Sequence, residues 1–323
     1  MLAEANPLPG APPAGTRETP HAAARDEVRR ASHVGAPAHD RAWLDVDLAA
    51  LVRNARRVAD AAGAPLLPMV KADAYGMGAV PVARALAAVR PWGYGVASVD
   101  EGAELRAAGI DGRVVVFTPL LGDDLARAHQ HGLTPTLHRA DDVRRWRALG
   151  GGAWHLAVDT GMARTGVRWD ALADALGAGL GDALRAHPPE GAYTHLHSAD
   201  LADASRAEQE ARFRAAVALL PERPRWLHAE NGPAVERGGR SAWDLVRPGL
   251  YVYGASCVER DAGEVALPAP DPVAHLRARV VDLRDLPAGD PVSYGATWRA
   301  AGPRRIATVA AGYADGYRRA LSN

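Results

Sequence analysis

Cysteine is nearly missing from this chain of 323 residues: Cys257 is the single one. That excludes an intrachain disulfide and a thiolate metal cluster. Long apolar runs are also missing, since no uninterrupted stretch approaches the 18 or so residues needed to span a bilayer. Net charge is absent too, with Lys+Arg and Asp+Glu both at 38, so nothing argues for nucleic-acid or other polyanion binding. The first 40 residues lack the basic start and apolar core of a signal peptide. They carry six prolines and read as a disordered extension, with DEVRRA (26–31) able to form a turn of helix. These absences leave a cytoplasmic globular protein with no membrane segment and no nucleic-acid partner as the expectation.

Order is expected from residue 41. WLDVDL alternates like a strand, and apolar residues at helical spacing from Leu48 to Ala62 run into Gly63. Short apolar runs then alternate with helical stretches. Strands are predicted at 66–71, 94–98, 114–119, 133–138, 154–160, 191–197, 225–231 and 243–249. Helices are predicted over 80–89, 101–108, 141–149 and 205–220. Eight such units predict an α/β fold, a (β/α)8 TIM-like barrel over 41–252 with an entering strand. An open doubly wound sheet is the alternative, and its dinucleotide-binding version lacks the expected GxGxxG turn. Past Tyr253 the helical period disappears, and VSYGATW (292–298) and RIATVAAGY (305–313) read as strands. A partial all-β domain is therefore expected over 253–323.

Polar residues gather at the predicted C-terminal strand ends: Lys71, Asp159, Arg164, His195, His197, His228, Asn231 and Arg247. In a barrel those ends converge on one mouth, where side chains read as catalytic or ligand-binding. An amine at a core strand end can hold an aldehyde as a Schiff base. The plainer reading of Lys71 is a stem along apolar surface with its ammonium in solvent. His195 and His197 point the same way along a strand and raise a metal pair, but no acidic ligand follows at suitable spacing, so no metal is expected.

VKADAYGMG (70–78) resembles the lysine segment of the pyridoxal-phosphate-dependent alanine racemases, and similar segments follow in family order to the end of the chain. The resemblance implies that Lys71 holds the aldehyde of pyridoxal 5'-phosphate and is one catalytic base. Tyr75 corresponds to a phosphate contact. HLAVDTGMARTG (155–166) resembles the family's HxKxDTGMxRxG and makes Arg164 a substrate-carboxylate ligand. THLHSAD (194–200) supplies His195, beside the cofactor ring, in support of a catalytic tyrosine. His228, Asn231 and Gly232 correspond to the family's HxxNSA cofactor segment. VRPGLYVYG (246–254) puts Arg247 opposite the pyridine nitrogen and gives Gly249 and Leu250 to the phosphate. VSYGATW contains Tyr294, the match to the second base, and GYADGY (312–317) contains Tyr313, near substrate entry.

The implied activity is interconversion of L- and D-alanine by two bases, supplying D-alanine for peptidoglycan. The implied assembly is a head-to-tail homodimer in which Tyr294 serves the partner's site. Two departures stand out: Ala157 replaces a lysine that orients the arginine in many members, and Gly232 replaces the NSA serine. The family's C-terminal end, with its GRxxMD-type segment, is expected to be lacking. A racemase of another amino acid, a non-catalytic pyridoxal-phosphate-binding protein and a metal-dependent barrel hydrolase stay open at this point. A decarboxylase of the same fold is disfavoured by Arg247.

Overall fold

A computed structural model describes residues 40–260 and 263–321. The predicted extension, with its possible turn at 26–31, lies outside them apart from Asp40. Strand β1 (Ala42–Val46) leads into helix α1 (Leu48–Ala62). Asp47 caps that helix by accepting from the Ala50 N–H, and Gly63 ends it with a left-handed φ of 60°. The predicted helix and its stop coincide with what forms.

The barrel is built from β2 (Gly93–Val96), β3 (Arg113–Val116), β4 (Thr134–Leu137), β5 (His155–Asp159), β6 (Val167–Arg168), β7 (Gly191–Tyr193) and β8 (Trp226–His228). Its main path runs β2-β3-β4-β5-β7-β8, all parallel, and β6 adds to β5 beside it. The first and last predicted strands do not form regular ladders. Leu66 bridges Val246, Met69 bridges Gly95, and Asn231 bridges Arg247. Pro65, Pro68 and Pro248 explain the broken ladder, because proline donates no N–H. These two extended segments still close the ring: the Met69 N–H reaches Pro248 O at 2.9 Å and the Val70 N–H reaches Gly95 O at 2.8 Å. Crossover helices on the outside include Ala79–Leu86, Val99–Ala107, Ala140–Ala148 and Ser205–Ala218. Leu66, Val96, Val116 and Leu156 from the staves pack with Leu51 of α1 and with Leu105, Val143 and Phe213 of the crossover helices in one core.

A separate β region follows, with β9 (Ala274–Ala278), β10 (Val280–Leu286), β11 (Pro291–Val292), β12 (Trp298–Arg299) and β13 (Arg304–Val309). β9 pairs antiparallel with β1, so the first strand of the chain joins this region rather than the barrel. VSYGATW is not one strand. It splits into β11, a 3-10 turn at Tyr294–Ala296, and β12, with Ser293, Gly295 and Ala296 at positive φ. RIATVAAGY likewise ends its strand at Val309, and Tyr313 opens another 3-10 turn. Among the described residues no helix is long and apolar enough to cross a membrane.

Candidate active site

The chain turns sharply after the first stave. Lys71 is followed by Ala72, Asp73, Ala74 and Tyr75, all in left-handed helical conformation with φ between 50° and 58°. Four consecutive non-glycine residues in that region are unfavourable by roughly 1–2 kcal/mol each, so the surroundings must hold them. Glu101 does much of this, accepting from the Ala72 N–H at 2.8 Å and from the Ala97 N–H at 2.7 Å. Asp73 closes the other end, its side chain accepting from the Ala79 N–H at 2.6 Å. Lys71 therefore leaves the barrel wall on a strained, well-tied turn, not on a plain strand end. Glu101 escaped the sequence reading because only folding brings it to residues 72 and 97.

The turn faces a cavity of about 440 Å³ at the C-terminal mouth of the barrel. Lys71, Tyr75, Arg164, His195, Asn231, Gly232, Arg247, Gly249 and Leu250 all line it. Arg247 is buried, and its terminal N–H groups reach His228 O (2.9 Å), His228 Nδ1 (2.8 Å), Thr194 O (2.7 Å) and Ala229 O (2.9 Å), one of those on Nη2 being shared with His195. Its Nε–H has no partner among the described residues. Burial brings the Arg247 pKa down to about 10, still high enough to keep the charge at neutral pH. His195 Nδ1 lies 3.5 Å from the same guanidinium. Burial, then Arg247, Arg164 and Lys71, pushes the imidazole down to about 3, so His195 is neutral.

Tyr75 stands over Gly249: a Cβ at 249 would fall 2.6 Å from the Tyr75 hydroxyl. A Cβ at Gly232 would meet only the Gly249 nitrogen, at 3.7 Å. The two glycines and the phenol thus form a backbone-lined corner with room for a polar group. Asn231 spends its carboxamide on the protein, accepting from the Ala234 N–H at 3.2 Å and donating to Leu196 O at 3.4 Å. Arg164 is exposed at the rim with no hydrogen-bond partner among the described residues. Together with Ala157, Asp159 and His195 it also lines a small void of about 20 Å³.

Several expected residues lie outside this cavity, Asp159 among them. His228 does not line the cavity; it is fully buried behind Arg247, so direct contact with a bound group is replaced by contact with the arginine. Tyr294 and Tyr313 line a second cavity, in the β region, together with Trp298 and Arg319. Tyr294 is 81% exposed. His197 is turned outward onto Ser198 Oγ at 2.7 Å, away from any pairing with His195. Among the described residues no three His, Cys, Asp or Glu side chains gather as metal ligands.

A closed α/β barrel carrying a lysine, two arginines and a neutral histidine at its carboxyl mouth, with a β-domain after it, defines a class of barrel protein whose site gathers at the C-terminal strand ends. The alanine racemase N-terminal domain matches residues 46–257, and the alanine racemase C-terminal domain matches 273–323. The chain belongs to the alanine racemase family. It is 37% identical over 292 residues to an alanine racemase of Syntrophobacter fumaroxidans, covering 87% of this chain and 76% of that one. The alanine racemase of a D-cycloserine-producing Streptomyces lavendulae superposes with a TM-score of 0.76 at 32% identity, over 87% of this chain and 76% of that one. The Bartonella henselae enzyme, crystallised with covalently bound pyridoxal phosphate, gives 0.74 at 26% identity, over 87% and 78%.

Proposed function

We propose that the chain is an alanine racemase that holds pyridoxal phosphate at the barrel mouth through Lys71. The observation that carries this reading is the geometry of Arg247. With its terminal donors satisfied by the protein, its remaining Nε–H is available to an acceptor in the cavity. An arginine keeps its proton, so it suits a ring nitrogen that must stay unprotonated. The corner made by Tyr75, Gly232, Gly249 and Leu250 suits the phosphate. When bound, the cofactor stabilises the electron pair left at the substrate α-carbon.

The protein's own residues supply the proton handling. Lys71 acts as base on one face of the α-carbon, and Tyr294 from the partner subunit acts on the other. His195, neutral and accepting from Arg247 on Nδ1, carries its proton on Nε2. It can then donate toward the Tyr294 oxygen and favour the phenolate, which a free phenol with a pKa near 10 would seldom provide. Arg164, free at the rim, takes the substrate carboxylate, and Tyr313 stands near the entry. His228 supports Arg247 from behind, and Asn231 holds the helix start beside the phosphate corner.

A head-to-tail homodimer belongs to the same proposal. Its support is that Tyr294 and Tyr313 lie apart from their own chain's cavity, on a region whose Leu276, Val280, Leu283 and Val309 are exposed. So do the division into a barrel over 41–252 and a β-domain over 253–323, a cytoplasmic location and the supply of D-alanine to peptidoglycan. To test the core reading, purified chain is given pyridoxal phosphate and L-alanine in deuterated water. The expected product is D-alanine with deuterium at the α-carbon, and borohydride should fix the cofactor on Lys71. Folded, cofactor-loaded protein that exchanges no α-proton would overturn it.

A further inference from the structure

The buried interior of the barrel holds a histidine that the proposed chemistry does not use. His155 opens β5, beneath the mouth, and its ring is fully buried. Its Nδ1 lies 2.8 Å from Nε2 of His228, whose Nδ1 lies 2.8 Å from Arg247. Three side chains thus form one line from the cavity wall into the barrel.

The direction of that line follows from hydrogen-bond chemistry. A guanidinium has donors only, so His228 Nδ1 must accept. A neutral imidazole carries one proton, which therefore sits on His228 Nε2 and is donated to His155 Nδ1. His155 in turn must carry its own proton on Nε2, an atom with no partner among the described residues. Both rings are neutral, since burial and the charge of Arg247 push His155 down to about 3 and His228 well below its ordinary value.

Packing leaves the rings little other freedom. Tyr193 stacks on His228 at 5.3 Å and 18°, and Phe117 meets it edge-on at 6.3 Å. Against His155, a Cβ at Gly191 would fall 2.7 Å from Nδ1 and Cε1, so a bare backbone is required there. What these contacts do not decide is which His228 nitrogen holds the proton. The Arg247 donor at Nδ1 places it on Nε2, and the His155 acceptor gives that N–H its partner.

We propose that His155 is a positioning residue: by accepting from His228 Nε2–H it holds the His228 ring, in the one tautomer that can accept from Arg247, and so sets where the guanidinium stands in the cavity. The consequence for catalysis rests on the reading of Arg247 given above. The tautomer itself does not.

The test compares the full-length wild type with His155→Leu and His155→Asn. Asparagine places a carbonyl oxygen where Nδ1 stands, whereas leucine offers no acceptor. Nitrogen-15 histidine spectra, taken without cofactor, should show His155 and His228 of the wild type as single Nε2–H tautomers. His228 should keep that tautomer in both variants, with its Nε2–H resonance moved toward that of an unbonded N–H in the Leu variant and restored in the Asn variant. Cofactor binding, measured by equilibrium dialysis, should weaken about fivefold in the Leu variant, the scale of one lost hydrogen bond between neutral groups, and recover with Asn. Turnover should fall with it while KM for alanine holds. An Nδ1–H tautomer at His228 in the wild type overturns the proposal, as does equal behaviour of the two variants. If the Leu variant fails to fold, the wild-type tautomers and the Asn variant decide alone. A wild type with the stated tautomers but no racemase activity would refute the functional reading and leave the histidine line standing.

Discussion

The barrel and the β region of this chain meet solvent in opposite ways. All four residues of β2 and all four of β4 are buried. In β10, six of seven residues are exposed, and in β13 five of six. The barrel strands share one long parallel path, while the β region consists of two-stranded pairings, a type of unit that is marginally stable in water by itself. The barrel therefore owns its core, and the β region leaves both strand faces open to a neighbour. The proposed site divides along the same line: Lys71, Arg164, His195 and Arg247 share a cavity in the barrel, whereas Tyr294 stands out on the β region.

The sharpest way to break this comparison is to place one lesion on each side of it. Lys71→Ala should lower turnover by more than about 1,000-fold, and Tyr294→Phe by about 100-fold, the range a positioned acid or base contributes. If the mouth of one subunit is completed by the β region of another, mixing the two inactive variants should recover activity that neither has alone. A mixture as inactive as its parts would show that Tyr294 serves its own chain, or nothing.

A second measurement asks whether the barrel's buried histidines make it the acid-sensitive half. The folded values of His155 and His195 lie near 3 and that of His228 well below normal, all under the unfolded value of about 6.5. The unfolded chain thus binds these protons first as pH falls. Their contribution is whole above pH 6.5 and is lost progressively as pH drops through about 3. The urea midpoint, followed by fluorescence of the barrel's buried Trp146 and Trp154, should decline between pH 7 and pH 5. His155→Leu should flatten that decline. A midpoint unchanged over the same range would contradict the assignment of three neutral rings.

The smallest expected effect concerns how firmly the lysine turn is tied. Glu101→Gln replaces one carboxylate oxygen with a donor facing a backbone N–H. The loss should be about 1–3 kcal/mol of stability, with slower capture of cofactor and an unaltered β region. Equal stability and equal capture would mean that the left-handed turn holds itself.

Much of this was legible in the residues before any folding was considered. The periodic pattern of Leu48 to Ala62 and the glycine after it specify a helix and its stop by local geometry alone. The alternation of apolar runs with helical stretches carries the barrel, because a buried parallel strand and an amphipathic helix differ in period. The barrel side of the site was legible as well, since a closed ring brings every C-terminal strand end to one mouth.

What local pattern could not carry is set by distance through space. The left-handed turn after Lys71 is unfavourable in every one of its residues and exists because Glu101 reaches it from the next crossover helix. VSYGATW looks like a strand by composition, yet positive φ at Ser293, Gly295 and Ala296 turns it into a bend that lifts Tyr294 outward. His228 sits in a motif that implied contact with the cofactor, and folding buries it behind Arg247, outside the cavity lining. The residue types and their order were sufficient for the family and the barrel. Which atom donates to which, from His155 through His228 to Arg247, was decided only when folding buried three side chains in a line where water could not satisfy them.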